Sequence, residues 1–385
     1  MPHPTQPNHH PDHPSPSTTL YLAGGGSGGH IYPNIAIAKQ IQEQAPNINI
    51  HFLIANKDID KQILQQTPYP FTPLPVQPLT KHPKKIIPFY NAWAASIKIC
   101  KALFKQSRHN IILTTGGFVA GPAVAAAYKL RKKNNHRILV NLDAVPGIAN
   151  QSQYKKATQT YSVYPLKTWP KAQLITLPQQ PLPANPPTPQ ASRQSLNLDP
   201  HRQTLLITGG SQGALSINHA ITALFQKKQI QQAFQNWQIL HITGPTTYTQ
   251  TQAQYQNIPT PHQVLPYCQN MPAAWLASDL AITRAGAGTV AQAIQYQTPT
   301  IFLPYPFHRD QHQRLNALPL AQKDAAILLE DSKSPQQNAA TLLPILLKLA
   351  QSPARLSQMR SALASPTAPD GLSTICAHIQ SQLTT

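Results

Sequence analysis

Three glycine-rich turns and one histidine carry most of the chemistry legible in this chain. Gly24-Gly25-Gly26-Ser27-Gly28-Gly29-His30 follows the apolar run Leu20–Ala23. Gly209-Gly210-Ser211-Gln212-Gly213-Ala214 follows Leu205–Thr208, and Arg284-Ala285-Gly286-Ala287-Gly288-Thr289 follows Leu280–Thr283. Each reads as strand, turn, helix start. Glycine lets the backbone approach a ligand and supplies positive φ, and a helix start offers unpaired N–H groups and a positive dipole end to an anion. Repeated in both halves of the chain, the pattern points to phosphate and sugar held between two domains.

Other constellations point to less. Gly24, Gly26 and Gly29 also fit the dinucleotide fingerprint, which expects an acid about twenty positions further on to hold a ribose. The stretch Ile48–Ala55 contains none, so a nicotinamide cofactor is disfavoured. Asp58-Ile59-Asp60 has the look of an acidic metal motif, but at a helix start between Lys57 and Lys61 such acids complement the dipole. His3, His9, His10 and His13 imply no fixed metal geometry, and Cys100, Cys268 and Cys376 lie far apart with neither metal nor disulfide spacing. A reducing, cytosolic compartment is expected.

The elements that must position these residues alternate strand and helix. In the first half the strands are Leu20–Ala23, Ile50–Ala55, Ile111–Thr115 and Ile138–Leu142, with helices at Asn34–Gln44, near Asp58–Gln66 and at Pro122–Leu130. Seven prolines between Pro178 and Pro200 break the pattern. It restarts with strands Leu205–Thr208, Gln238–Thr243, Leu280–Thr283 and Thr300–Leu303, a segment near Val264, and helices Ser216–Gln226, Pro272–Ala277 and Thr289–Gln295. Two α/β domains follow, each a doubly wound parallel sheet covered by helices, facing a cleft at the carboxyl ends of their strands. The expected organisation is a disordered tail at 1–18, an N-terminal domain at 19–178, a linker at 179–203, a C-terminal domain at 204–365 and a tail helix at 366–385.

With 385 residues the chain has room for two cores. Its formal charge of +19 comes from scarce acids, 12 Asp and Glu against 31 Lys and Arg, with the cations mostly scattered. A nucleic-acid binder concentrates them in a stripe, so no nucleic acid is expected. No segment reaches the ~18 apolar residues of a membrane span, and the Pro- and His-rich start lacks the apolar core of a signal peptide.

The turns, together with Pro33, Gly116-Gly117-Phe118-Val119-Ala120-Gly121-Pro122, Pro146-Gly147-Ile148-Ala149-Asn150 and His312-Gln313 before Asn316-Ala317, resemble the MurG family of bacterial glycosyltransferases. The likeness runs from about Leu20 to the C-terminal tail. It implies the GT-B architecture of two Rossmann-like domains. The implied reaction is inverting and metal-independent, moving N-acetylglucosamine from UDP-N-acetylglucosamine to lipid I to form lipid II in peptidoglycan synthesis, without a cofactor. It makes His30 the base that accepts the proton of the attacking sugar hydroxyl, a role that neutral imidazole suits near pH 7. It assigns the acceptor and its diphosphate to Gly25, Gly26, Ser27, Gly28, Gly29, Phe118 and Asn150. UDP and the donor sugar fall to Ser211, Gln212, Gly213, Cys268 (through backbone groups), Arg284, Gly288, Thr289, Gln292, His312 and Gln313. For Arg284 a surface salt bridge is the plain alternative.

The family's ribose-binding glutamate falls on Gln292, its His-Glu-Gln-Asn run on Asn141-Leu142-Asp143-Ala144, a common tyrosine on Phe118, and an arginine on Gln180. Two other functions therefore stand beside the main one: a GT-B transferase with another acceptor, and a weakly catalytic protein that binds a UDP-sugar or a membrane surface. The run from Lys81 to Trp93 mixes cations with apolar residues. The resemblance makes Lys81, Lys84, Lys85, Ile86, Ile87, Phe89 and Trp93 a contact with the cytoplasmic face of the membrane, where each cation near an anionic leaflet contributes ~1 kcal/mol. An ordinary helix with solvated lysines is the plainer reading of the same stretch. The resemblance also implies a cell-wall synthesis complex as partner.

Overall fold

The computed structural model describes residues 18–26, 28–78, 84, 86–130, 135–210, 212–364 and 368–383. Residues 1–17 of the expected tail and the site candidates Ser27, Lys81, Lys85 and Ser211 lie outside the described residues.

The first sheet contains β1 (Thr18–Ala23), β2 (Asn49–Ala55), β3 (Phe71–Leu74), β4 (His109–Thr114), β5 (Asn135–Asn141), β6 (Gln159–Ser162) and β7 (Gln173–Leu174). Its order is β3-β2-β1-β4-β5-β6-β7. The second contains β8 (Gln203–Thr208), β9 (Trp237–Ile242), β10 (His262–Leu265), β11 (Leu280–Thr283), β12 (Thr300–Phe302) and β13 (Ala326–Leu328), in the order β10-β9-β8-β11-β12-β13. All paired neighbours are parallel, Leu20 standing beside Ile50 and Ile111, and Leu205 beside Leu280 and Ile239. Strands buried on both faces explain the near-continuous apolar runs. Leu20 and Leu22 enter one core while Tyr21 and Ala23 enter the core on the opposite face, and Leu205 and Ile207 part from Leu206 in the same way.

Strand order reverses between β1 and β4, and again between β8 and β11. Ligands of such sheets bind outside the carboxyl ends of strands at these switch points. The glycine turns follow β1, β4, β8 and β11, so all of them sit there.

Three boundaries differ from expectation. The first helix begins at Gly28 and runs to Gln44, taking in His30 and Pro33. Pro33 is the sixth residue of this helix, past its first turn, and having no N–H it leaves the Gly29 carbonyl without an i→i−4 donor. Thr18 belongs to β1 rather than to the tail. Within the expected linker, the helix Pro189–Ser195, capped by Thr188, belongs to the second domain. Its buried Arg193 pairs with Asp279 at 2.8 Å and donates to the Ala277 carbonyl. The last helix, Gly371–Ser381, is no free tail. Leu372, Ile375, Cys376 and Ile379 pack into the first domain beside Leu20 and Ile31, so this helix returns to the first core.

Candidate active site

On the first domain, two glycine turns meet. Gly117 has φ +75°, and a Cβ there would lie 2.6 Å from the Gly25 carbonyl oxygen, so only glycine brings the turn after β4 onto the turn after β1. His30, in the first turn of its helix, is held between them. Its Nδ1 lies 3.0 Å from the Thr115 carbonyl oxygen, while the Thr115 hydroxyl donates to the His30 carbonyl at 2.7 Å. A carbonyl only accepts, so Nδ1 carries the proton and the neutral ring keeps its lone pair on Nε2. The His30 ring and the Asn150 amide both lie within 3.3 Å of a Cβ placed on Gly116, so they flank one spot. Asn150 is buried and donates to Asn141 Oδ1 at 3.1 Å, leaving its own Oδ1 without a partner. Phe118 covers Gly26, where a Cβ would meet its ring at 2.7 Å.

Two residues outside the predicted site shape this loop. Asp60, fully buried, accepts the Gly26 N–H on Oδ2 at 2.7 Å, and Lys57 Nζ donates to the Gly26 carbonyl at 3.0 Å. The Gly26 N–H is therefore already paired and does not await a phosphate. Burial raises the Asp60 carboxyl above its usual range, against the lowering effect of the Gly26 and Ala55 N–H groups, Lys57 and His30. An acid at the start of the helix Asp58–Gln65 completes the glycine turn rather than a metal site. Among the described residues no group of three or more His, Cys, Asp or Glu could hold a metal ion.

On the second domain, Gly286 precedes the helix Ala287–Gln295, which places Gly288 and Thr289 in its first turn, where N–H groups are unpaired by the helix. Gln212 is exposed at the turn after β8. Gly213, with φ +74°, donates its N–H to the Gly210 carbonyl and lies against Thr243, so it shapes the turn instead of offering a donor. Cys268 turns its thiol into the core, and burial raises its pKa. Gln292 accepts the Trp275 indole N–H on Oε1 at 3.0 Å. His312 Nδ1 pairs with Asp310 at 2.8 Å, and Gln313 Oε1 accepts the Tyr305 N–H at 2.9 Å.

Arg284 is neither a surface salt bridge nor a free cation. It is buried, pairs with the fully buried Asp331 carboxylate at 2.6 Å, and donates to the Leu303 and Pro304 carbonyls and the Ser216 hydroxyl. It ties the starts of two helices to the end of β12. Gln180, where the family pattern has arginine, donates to the Ala36 carbonyl of the first domain and accepts from Gln295 of the second.

The basic and apolar stretch continues as the helix Ile86–Phe104. Ile87 and Tyr90 are 73% and 62% exposed, enough for both side chains to reach an interface, with Ile86 and Lys84 exposed beside them. Phe89 is half-buried against Trp93, with ring centroids 5.8 Å apart. Trp93 departs from expectation: its ring packs on Gly121 and against the core, so it braces the helix rather than the membrane. Among the described residues no helix is long and apolar enough to cross a membrane.

Two parallel, doubly wound sheets with glycine turns at both switch points make up the GT-B architecture. The N-terminal domain model of glycosyltransferase family 28 matches residues 20–162, and its C-terminal domain model matches residues 204–375. The chain is 30% identical over 363 residues to the UDP-N-acetylglucosamine–N-acetylmuramyl-(pentapeptide) pyrophosphoryl-undecaprenol N-acetylglucosamine transferase of Carboxydothermus hydrogenoformans, covering 88% of this chain and 91% of that one. To the enzyme of the same name from Desulforudis audaxviator it is 31% identical, over 92% and 96% of the two chains. The crystal structure of Acinetobacter baumannii MurG superposes with a TM-score of 0.68 at 25% identity, covering 95% of this chain and all of that one. The chain belongs to the MurG family.

Proposed function

We propose that this protein transfers N-acetylglucosamine from UDP-N-acetylglucosamine to lipid I, undecaprenyl-diphospho-N-acetylmuramoyl-pentapeptide. The transfer inverts the anomeric centre and forms the β-1,4 linkage of lipid II at the cytoplasmic face of the membrane. The observation that carries this reading is His30: the Thr115 carbonyl fixes its tautomer and leaves Nε2 to accept a proton, in a ring that flanks Gly116 together with Asn150 at a switch point.

The acceptor hydroxyl loses its proton to His30 Nε2 as it attacks the oxocarbenium-like anomeric carbon, and the bond to UDP breaks with the electron pair leaving on the β-phosphate oxygen. The N–H groups in the first turn of Ala287–Gln295 stabilise the charge growing on that oxygen, and closure of the cleft strengthens them by removing water. Asn150 Oδ1, buried without a partner, accepts from an acceptor hydroxyl and aligns it. Ile86, Ile87 and Tyr90, with Lys84, rest on the anionic leaflet that carries the acceptor.

Purified protein incubated with UDP-N-acetylglucosamine and lipid I in detergent is expected to yield lipid II and UDP in equal amounts. Turnover only on a different acceptor, or nucleotide binding without turnover, would overturn the assignment.

A further inference from the structure

Among the contacts between the two domains, one is a buried side-chain amide. Asn316, 1% exposed on the helix His312–Gln322 of the second domain, accepts the Ala144 N–H on Oδ1 at 2.8 Å. Its Nδ2 donates to Asp143 Oδ1 at 2.8 Å and to the Ala285 carbonyl at 3.2 Å. Its backbone carbonyl accepts the Tyr164 hydroxyl at 3.0 Å. One side chain thus touches the turn after β11 on the donor side and the loop after β5 on the other side of the cleft.

The contacts continue inward from that loop. Asn141 Nδ2 donates to the Asp143 carbonyl at 2.7 Å, and Asn141 Oδ1 accepts from Asn150 at 3.1 Å. Asn150 lies beside His30 over Gly116. An unbroken series of hydrogen bonds therefore runs from the helix bearing His312 and Gln313 to the residue flanking the base. Inverting transfer needs nucleophile and anomeric carbon within about 3–3.5 Å, and a domain-sized shift of either partner defeats it.

We propose that Asn316 is a positioning residue, a clasp that sets the angle between the domains and, through Asp143, Asn141 and Asn150, holds the donor half in reach of His30. The proposal rests on the transferase reading above. It gives the residues Asn141 and Asp143, which depart from the family pattern, work at the domain junction rather than on the acceptor.

The test uses the full chain with Asn316→Asp, Asp143→Asn and the two combined. Asn316→Asp keeps an acceptor for Ala144 but sets one carboxylate against another. Asp143→Asn keeps an acceptor for Asn316. In the combination the amide and carboxylate exchange sides, so the bond between positions 316 and 143 is regained, while the bond to the Ala285 carbonyl within the second domain stays lost. The domain angle is read without substrate, by electron-spin distance measurement between labels at Gln106→Cys and Lys228→Cys, both exposed, the native cysteines being buried.

Asn316→Asp is expected to broaden or shift the distance distribution and to lower kcat at least tenfold with a smaller change in KM for the donor. Asp143→Asn is expected to stay within about threefold of the native enzyme. The double variant is expected to recover the distance distribution and part of the lost kcat, which a mere loss of packing would not allow. An unchanged distribution in Asn316→Asp, or a double variant as impaired as Asn316→Asp, overturns the clasp. A shifted distribution with native turnover overturns its positioning role. Absence of transfer by the native protein overturns the transferase reading alone, and the distances still decide the clasp.

Discussion

Replacing Asp60 with alanine removes the partner of the Gly26 N–H, which donates at 2.7 Å to a carboxylate with no solvent exposure. Hydrogen bonds to charged groups contribute about 1.5–3 kcal/mol. Gly26 itself would keep its tether from Lys57 Nζ to its carbonyl, at 3.0 Å and largely exposed to solvent. If that loss falls on the conformation that holds the acceptor beside His30, turnover drops roughly 10- to 150-fold, at ~1.4 kcal/mol for each factor of ten. Asp60→Asn keeps an acceptor but makes the bond neutral, at about half the strength. Its expected loss is roughly three- to tenfold. Initial rates of N-acetylglucosamine transfer measure both, with thermal unfolding run alongside so that a change in loop geometry is told from loss of fold. An Asp60→Ala protein that folds and works within threefold of native would refute the argument that this carboxylate builds the glycine turn.

Other variants probe the remaining parts. Asp331→Ala leaves the buried Arg284 guanidinium without its partner and should destabilise the second domain by about 3–5 kcal/mol, seen as a lower unfolding midpoint. Burial alone would raise the Asp331 carboxyl, but bonds from Ser216, Asn338, Arg284 and the Lys333 N–H outweigh it and hold it below its ordinary value. Its stabilisation is therefore complete above the unfolded value of about 3.9 and is lost only as pH falls through the lower folded value. Gln292→Glu keeps an acceptor for the Trp275 indole and adds a second carboxylate oxygen, so KM for UDP-N-acetylglucosamine should fall roughly five- to tenfold, one regained hydrogen bond being about 1–1.5 kcal/mol. An unchanged or higher KM would place the ribose elsewhere. Replacing the exposed Ile87 and Tyr90 with Asp should reduce flotation with anionic vesicles at least tenfold, since each apolar side chain contributes about 1.5–3 kcal/mol when buried. Unaltered flotation would remove this helix from the interface.

The parallel sheets were legible because buried strands must be apolar and glycine turns must follow them. The runs at Leu20–Ala23, Leu205–Thr208 and Leu280–Thr283 carry both signals in one stretch. The start of the first helix was obscured by Pro33 and by glycines that read as loop. Asp60 looked like a dipole-complementing acid because its partner Gly26 is 34 positions away, and no local pattern records such a bond. Arg284 drew attention as a cation beside a glycine turn, but its role depends on Asp331, 47 positions on. The clasp was hidden for the same reason. Asn316 was visible only as part of a family marker, while the groups it joins stand 172 and 173 positions away in the other domain. The return of Gly371–Ser381 to the first core also had no local signal, since an amphipathic helix does not say which sheet it covers.

The account turns on His30 Nε2 as the proton acceptor, and the His30→Gln enzyme examines this most directly. Single-turnover transfer should fall about 10²- to 10⁴-fold, the usual contribution of a general base, while calorimetric affinity for UDP-N-acetylglucosamine stays within twofold of native. A His30→Gln enzyme that transfers sugar within tenfold of the native rate would contradict it.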